Sequence, residues 1–353
     1  MRTHLLTGPG GSGVSSMAAA LAAGLAGNPA TAPQEAGPTV TLACVGDDGS
    51  TARLAGTDPS YAVVDLAEPA PWGDLDAVLA STIERFGGDG DVAEEWRRLP
   101  GADVLTALVS LGEAVAATDV LVVDLGDLRL AGKFLAAATR VPFALRGMLG
   151  LQALGARLIG PTAAHAVPRW LDALEAALEV LRAPDTLLHV VAGEGPVAPA
   201  KVRRAVPPLL LSGVSPGLII GGGALAPAYD WAPFTPAAAT SWPVDDRGRL
   251  LPDADRLMAR IVATLDEVGP TPCVLSRAAD HLTWRVPLPW VGASDVQVDH
   301  RGEDLVVTVH GVPHLVQPPA VVRRCIPVRA SLDGTYLEVE SVLREGAWRR
   351  RER

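Results

Sequence analysis

Short apolar runs alternate with longer amphipathic stretches through the first two thirds of the chain. A short apolar run bounded by Gly, Pro, Asp or Thr predicts a buried strand, and apolar residues three and four apart predict a covering helix. This strand and helix order indicates a parallel sheet with helices on both faces. The predicted strands are Thr3–Thr7, Val40–Val45, Tyr61–Leu66, Val120–Asp124, Leu187–Val191 and Gly217–Ile220, and the predicted helices are Val14–Ala26, Leu75–Phe86, Ala102–Ala117, Val167–Arg182, Ala198–Leu211 and Asp253–Val268.

The pattern changes after Gly269 and Pro270. The stretches LTWRVPLPW, DVQVDHRGEDLVVTVHG and RCIPVRASLDGTYLEVE alternate apolar and polar residues, with turn residues at Arg301-Gly302 and Asp333-Gly334. This spacing predicts an antiparallel β-sandwich of roughly 70 residues. We therefore expect a doubly wound, mostly parallel α/β domain over 1–269, a small all-β sandwich domain over 270–344, and a basic tail over 345–353.

The composition limits the classes of protein to which the chain can belong. Its 353 residues carry a formal net charge of −10, and the longest basic run is Arg349 to Arg351. Phosphate backbones attract clustered Lys and Arg, so this balance excludes a general nucleic-acid binder. Cys44, Cys273 and Cys325 are widely spaced and form no C-x-x-C pair. This usage favours neither a disulfide framework nor a zinc site, and it is typical of a reducing cytoplasm.

One uncharged stretch, from Ala205 to Tyr229, is long enough to span a bilayer. Its four prolines and three consecutive glycines would break a helix repeatedly. We expect a helix end, a turn, a buried strand and a loop there instead. Residues Met1 to Leu6 lead into glycines rather than a long apolar region, so we expect no signal peptide.

The stretch GPGGSGVSS, from Gly8 to Ser16, lies between the first predicted strand and the first predicted helix. Glycines in this setting let backbone N–H groups point at a phosphate, and the helix N-terminus adds partial positive charge. Ser15 and Ser16 offer hydroxyl groups for Mg²⁺. Val14 stands where a phosphate loop places its lysine.

This loop resembles the deviant Walker motif G-K-G-G-x-G-K-[ST]-[ST] of the ArsA/Get group, the ATPases of arsenite efflux and tail-anchored-protein targeting. The resemblance implies ATP and Mg²⁺ as cofactors and a homodimer in which the first lysine reaches the partner's nucleotide. Pro9 and Val14 replace the two lysines. The nucleotide-binding positions that the resemblance implies are Gly8, Gly10, Gly11, Ser12, Gly13, Val14, Ser15 and Ser16, with Ser15 also at the metal.

Three later segments extend the resemblance to this group. CVGDDGSTARL occupies the place of the switch segment S-T-D-P-A-H-S-L, so Asp47 matches the aspartate that orients the attacking water. VLVVDLGDLRL places Asp124 at the aspartate near Mg²⁺, which makes Asp47 and Asp124 the implied catalytic residues. In GLIIGGGALAP the adenine-reading Asn is replaced at about Gly221. A purely structural interpretation is that both aspartates cap loops at the ends of strands.

The C-terminal sequence resembles the α-crystallin-like (small heat-shock) domain of some ArsA/Get relatives. The matching pieces include Leu288-Pro289 and the run Ala330 to Leu337, which resembles the signature A-x-L-x-x-G-x-L. Exposed strand edges and grooves of such sandwiches can take an extra strand or an apolar segment. The alternative is a domain that only packs on the α/β domain as a structural lid.

In Get-type proteins the helical region after the second aspartate forms an apolar groove for hydrophobic client segments. Packing in the core is the alternative use of these side chains, and no histidine cluster suggests a metal site. The corresponding residues here are Phe134, Val141, Phe143, Leu145, Met148, Leu149, Leu151 and Leu154.

Three functional interpretations follow from these residues. The first is a pseudo-ATPase that serves as a binding or chaperone-like scaffold subunit in a homodimer, or in a hetero-oligomer with an intact ArsA/Get-like paralogue. The second is a true ATPase in which Ser15, Asp47 and Asp124 hold Mg·ATP and Arg129 or a partner's arginine replaces the lysines. The third is a small-molecule or anion binder that uses the helix N-terminus at Gly13.

Overall fold

A seven-stranded parallel sheet forms the centre of the first domain. Its strand order is β3-β2-β4-β1-β5-β6-β7, and every neighbouring pair is parallel. The computed structural model describes residues 1–26, 38–46, 51, 61–66, 80, 84, 87, 89–90, 95, 101–116, 118–155, 161–192, 197–222, 231–234, 240–242, 261, 274–278, 281–301 and 304–343. The strands are β1 Arg2–Gly8, β2 Val40–Cys44, β3 Tyr61–Asp65, β4 Val120–Asp127, β5 Thr186–Ala192, β6 Ser215–Gly222 and β7 Thr240–Trp242.

Helices connect these strands and agree closely with the predicted ones where the structure describes them. The predicted helices Leu75–Phe86 and Asp253–Val268 lie outside the described residues, apart from 80, 84 and 261, which are helical. The periodicity predicted no helix between Asp124 and Val167, where a 28-residue helix is present. The helices are α1 Val14–Ala26, α2 Ala102–Val115, α3 Leu128–Gly155, α4 Pro161–Arg182 and α5 Val197–Leu210.

Two hydrophobic cores lie on opposite faces of the sheet. Strand β1 contributes Leu5 to one core and Leu6 to the other, because successive side chains of a strand point to opposite faces. Helices α2 to α5 pack in the first core, and α1 packs in the second. The predicted doubly wound fold is therefore confirmed. Phe134 is fully buried in the first core and Val141 packs against it, so Phe134 is unavailable to a client segment.

Two antiparallel sheets form the C-terminal domain, which confirms the all-β prediction. The three-stranded sheet has the order β10-β11-β12, and the four-stranded sheet has the order β13-β14-β9-β8. Gly334, at φ +59°, makes the predicted turn between β13 and β14. The elements are β8 Val274–Arg277, β9 His281–Pro287, β10 Val296–Arg301, β11 Asp304–Val309, β12 Val312–Val316, the one-turn helix α6 Ala320–Arg323, β13 Cys325–Asp333 and β14 Tyr336–Leu343.

The C-terminal domain packs directly on the α/β domain. Leu211, just after α5, is buried in the core of the sandwich beside Trp284. Trp290 stacks on Phe234 with the ring centroids 5.8 Å apart and meets Trp231 edge to face at the same separation. These aromatic contacts fix the two domains together, as expected of a packed lid. The basic tail lies outside the described residues.

Across the described part of the chain, no helix has the apolar length needed to cross a membrane. The stretch from Ala205 to Tyr229 instead provides the end of α5, a turn and the buried strand β6, as predicted, and its last residues lie outside the described part.

Candidate functional site at the glycine loop

The glycine loop makes a tight turn between β1 and α1. The Ser12 N–H donates to the Pro9 carbonyl at 3.0 Å. Gly11 and Gly13 have φ values of +79° and +86°, a region that favours glycine. The Met17 N–H then donates to the Gly13 carbonyl at 3.0 Å and starts the helix. The loop thus has the strand, glycine turn and helix N-terminus of a phosphate-binding loop.

Gly8 is required by close packing. A Cβ atom there would lie 2.1 Å from the Val191 carbonyl oxygen of β5 and 2.4 Å from Ser12 Oγ. Such separations are far below any van der Waals contact, and the backbone carbonyl cannot rotate away. Gly8 is therefore needed for the close approach of the loop to β5, independently of any ligand.

Apolar residues occupy the places of both lysines in this loop. Val14 is only 7% exposed and packs in the core beside Met17 and Leu21. Pro9 is also buried. A lysine side chain at position 14 would have to take a different orientation to reach solvent or a phosphate, because the Val14 side chain points into the core.

Asp124 lies near the carboxyl end of β4, at the same edge of the sheet as the glycine loop. It is paired in register with Leu6 of β1 on one side and Cys44 of β2 on the other. The side chain is 3% exposed. Its Oδ1 accepts the Gly126 N–H at 2.8 Å, and its Oδ2 accepts the Thr51 hydroxyl at 3.1 Å.

These hydrogen bonds give Asp124 a structural role, because they hold Thr51 and Gly126 at the end of β4. The Thr7 hydroxyl donates to the Gly126 carbonyl at 3.0 Å, so β1 and the end of β4 are tied together. Each carboxylate oxygen of Asp124 already has a protein donor. Thr51 was missed at the sequence level, although it lies within the stretch matched to the switch segment. Asp47, in the same stretch, lies outside the described residues.

The remaining predicted site residues lie on the loop and the first turn of α1. Ser15 and Ser16 are half-buried, and Gly10 and Gly11 are exposed. Ser12 Oγ is buried and has no hydrogen-bond partner in the described part of the chain. The structure therefore brings the Gly8 to Ser16 segment and Asp124 to one edge of the sheet. Arg129, the candidate replacement cation, is exposed in the first turn of α3.

The backbone of this site suits a phosphate, whereas its described side chains do not suit a nucleotide with a metal ion. The loop offers backbone N–H groups and a helix N-terminus, which suit a phosphate. The lysine position holds a buried valine, and the one described carboxylate is hydrogen-bonded to protein donors. Among the described residues, no group of three His, Cys, Asp or Glu side chains could hold a metal ion. The arrangement suits an anion better than a Mg·ATP complex undergoing hydrolysis.

A buried histidine pair joins the two strands beside the loop. The Leu218 N–H donates to His189 Nδ1 at 3.0 Å, so the ring proton of a neutral His189 lies on Nε2. That Nε2 then donates to His4 Nδ1 at 3.0 Å. Burial, with a smaller contribution from His4, holds the pKa of His189 well below its usual 6.5. This pair was not predicted, because both residues look like ordinary members of apolar strands.

A second candidate surface lies on the C-terminal domain, between β10 and β13. Each is the end strand of its sheet in the described structure, so one backbone edge of each lacks a neighbouring strand. A groove of about 300 Å³ opens between them. Its lining residues are Ala293, Val296, Val298, Ala330, Ser331, Leu332 and Leu337.

Comparisons with known proteins agree with this architecture. Residues 279–340 match the model of an HSP20-like domain found in ArsA. The chain is 30% identical over 381 aligned positions to "Uncharacterized protein SCO2128" of Streptomyces coelicolor, with 95% of this chain and 96% of the relative covered. The chain belongs to the family of this Streptomyces protein. The matched segment lies within the predicted C-terminal domain and confirms its ArsA-associated, small heat-shock type.

Proposed function

We propose that this protein is an ArsA/Get-like ATPase homologue that no longer hydrolyses ATP and acts as a binding or scaffold subunit. It works in the cytoplasm as a homodimer or together with an ArsA/Get-like paralogue that keeps both lysines. Its clients are apolar protein segments. The HSP20-like domain of the ArsA type and the parallel sheet with its glycine loop support the family part of this proposal.

The observation that carries the loss of hydrolysis is the burial of Val14. A lysine contact to a phosphate typically contributes about 1.5–3 kcal/mol as a charge-assisted hydrogen bond, and more to the transition state. Val14 contributes apolar packing to the α1 core instead. The backbone cradle remains, so hydrolysis should be lost more completely than phosphate binding.

Calorimetric titration of the full chain with Mg·ATP, ADP and inorganic phosphate tests this proposal. We expect ATP to bind no more tightly than the millimolar range, because the backbone donors act without a cation. Gly13→Ala is a suitable companion variant, since Gly13 has a positive φ that alanine disfavours, and it should remove any residual anion binding. Micromolar ATP affinity with turnover would refute the proposal.

The groove between β10 and β13 supports the binding role. Its apolar lining lies beside two strand edges that have free backbone donors and acceptors, within the described structure. An extended peptide can pair with such an edge and insert every second side chain into the groove. The proposed client is therefore an extended segment with alternating apolar residues.

Peptide binding measured by fluorescence anisotropy tests the groove. A ten-residue peptide with valine at every second position should bind the wild type. Val298→Asp in the groove should weaken binding about tenfold, because a carboxylate replaces an apolar contact. Val312→Asp is the matched control, since Val312 is 54% exposed on β12 and does not line the groove. Equal binding by both variants would rule the groove out.

A further inference from the structure

Trp290 has a backbone conformation that normally requires glycine. Its φ is +60°, a left-handed value at which a Cβ atom crowds the following carbonyl oxygen. Among the described non-glycine residues, only His310 shares a positive φ, and its place in the two-residue hairpin turn between β11 and β12 explains that value. Trp290 instead follows Pro289 in the turn between β9 and the 3₁₀ turn Ala293–Asp295. The conformation of Trp290 therefore needs another cause.

Contacts with the α/β domain hold Trp290 in this conformation. Its ring stacks on Phe234 at an interplanar angle of 10° and meets Trp231 edge to face. Phe234 and Trp231 are both buried in the first core. A backbone outlier of this kind persists only where its surroundings impose it, and such outliers concentrate at binding sites and switches. The turn thus depends on the α/β domain, although its neighbours Leu288 and Val291 belong to the core of the sandwich.

The same turn leads directly into the groove between β10 and β13. The groove lining includes Ala293, three residues after Trp290. The Asp295 N–H donates to the Gly292 carbonyl at 2.9 Å, so the segment between the turn and β10 is compact. Strand β10 begins at the next residue, Val296, which also lines the groove. A change of φ at residue 290 therefore shifts the groove wall.

We propose that Trp290 is a positioning residue through which the α/β domain controls the peptide groove. With its ring packed on Phe234, the turn keeps its left-handed conformation and Ala293 stays in the groove wall. When the ring leaves Phe234, the turn relaxes to a negative φ and the groove changes shape. Movement of residues 231–234 thereby changes the affinity for an extended apolar peptide. This regulation rests on the proposed peptide-binding role of the groove.

Two substitutions at position 290 separate the backbone conformation from the ring. Trp290→Gly and Trp290→Ala both remove the aromatic contacts, but only glycine adopts a φ of +60° without steric cost. In fluorescence anisotropy with the ten-residue valine peptide, Trp290→Gly should bind within about twofold of the wild type. Trp290→Ala should bind about fivefold more weakly, since alanine disfavours the left-handed turn. A role of Trp290 in stability alone would affect the two variants alike.

A substitution on the α/β side tests the direction of control. Phe234→Leu keeps an apolar side chain but loses the stacked ring. It should weaken peptide binding about threefold in the wild-type background. In the Trp290→Gly background it should leave the affinity unchanged, because a glycine turn does not depend on the ring. Equal effects of Phe234→Leu in both backgrounds would contradict the coupling.

Amide hydrogen exchange without peptide tests the coupling independently of peptide binding. In Trp290→Ala, the fragment over 291–299 should exchange at least about fivefold faster than in the wild type, and in Trp290→Gly it should stay close to the wild-type rate. If the wild type fails to bind the peptide while these exchange rates hold, the client role of the groove fails and the control of its wall by Trp290 stands. Equal exchange over 291–299 in the two variants would overturn the proposal.

Discussion

Single residues of the glycine loop serve the fold as well as any ligand. Gly8 allows β1 to approach the Val191 carbonyl, and Gly11 and Gly13 allow the turn. Val14 adds to the core of α1. The fold thus requires these glycines for structural reasons, even with Pro9 and Val14 in the places where the resemblance puts lysines. This explains why the motif could be found from the sequence although its lysines are absent.

Gly8→Ala should destabilise the protein strongly. The new Cβ would meet the Val191 carbonyl oxygen at 2.1 Å, so β1 or β5 must shift, and we expect a loss of about 3 kcal/mol. Gly10→Ala is the matched control, since a Cβ there has no neighbour within 4 Å. Its unfolding free energy should stay within about 0.5 kcal/mol of the wild type. Urea unfolding without nucleotide measures both, and equal stabilities would contradict the packing argument.

Elements with a clear apolar period were predicted almost residue by residue. Strand β2 and helix α1 agree closely with the expected bounds, because β2 is buried along its whole length and α1 buries one continuous side. Helix α3 was absent from the helices that periodicity predicted, although the ArsA/Get resemblance implied a helical region after Asp124. Its start is fixed by Asp127, whose carboxylate accepts the N–H groups of Arg129 and Leu130, at 2.9 and 2.8 Å.

Contacts between elements were beyond the reach of sequence reasoning. The hydrogen bonds of Asp124 with Thr51 and of His4 with His189 join residues far apart in the chain. A periodic pattern indicates which side of a strand is buried, but it does not show which two buried polar groups meet. The position of the glycine loop between β1 and α1 could be predicted from the sequence, whereas the hydrogen bonds around Asp124 could not.

The buried pair of His4 and His189, which joins β1 and β5, predicts that the protein loses stability as the pH falls. The pKa of His189 is lowered in the folded state, so the unfolded chain binds more protons below about pH 6.5. The contribution of His189 to the free energy of unfolding is therefore complete above that pH. As the pH falls, the free energy of unfolding decreases by up to about 1.4 kcal/mol per pH unit for this one proton. His189→Gln, which does not titrate, should reduce this slope between pH 7.5 and pH 5.5.

The control for this prediction is an exposed histidine. His300 is exposed on β10, so His300→Gln should keep the wild-type slope. Burial, with a contribution from Arg140, also lowers the pKa of His314, so some slope should remain in His189→Gln. Urea unfolding at several pH values measures all three proteins. A slope unchanged by His189→Gln would show that the pair does not control acid stability.

At the scale of the whole molecule, the two domains form one packed unit. Trp290 links the C-terminal domain to Trp231 and Phe234 of the α/β domain. We expect Trp290→Ala to lower stability by about 2 kcal/mol, since half-buried aromatic contacts are lost. Val312→Ala, at an exposed position, is the control and should change little. A single wild-type-like transition in the Trp290 variant would contradict a packed interface.

At the scale of the whole protein, we propose a phosphate loop that has kept its backbone donors and lost hydrolysis. A sensitive phosphate-release assay on the full chain with Mg·ATP tests this claim most directly. Asp124→Asn, checked for folding by circular dichroism, gives the background, because it removes the only described carboxylate predicted for catalysis. We predict that the wild type releases phosphate no faster than this variant. Wild-type turnover that Asp124→Asn abolishes would contradict the proposed loss of hydrolysis.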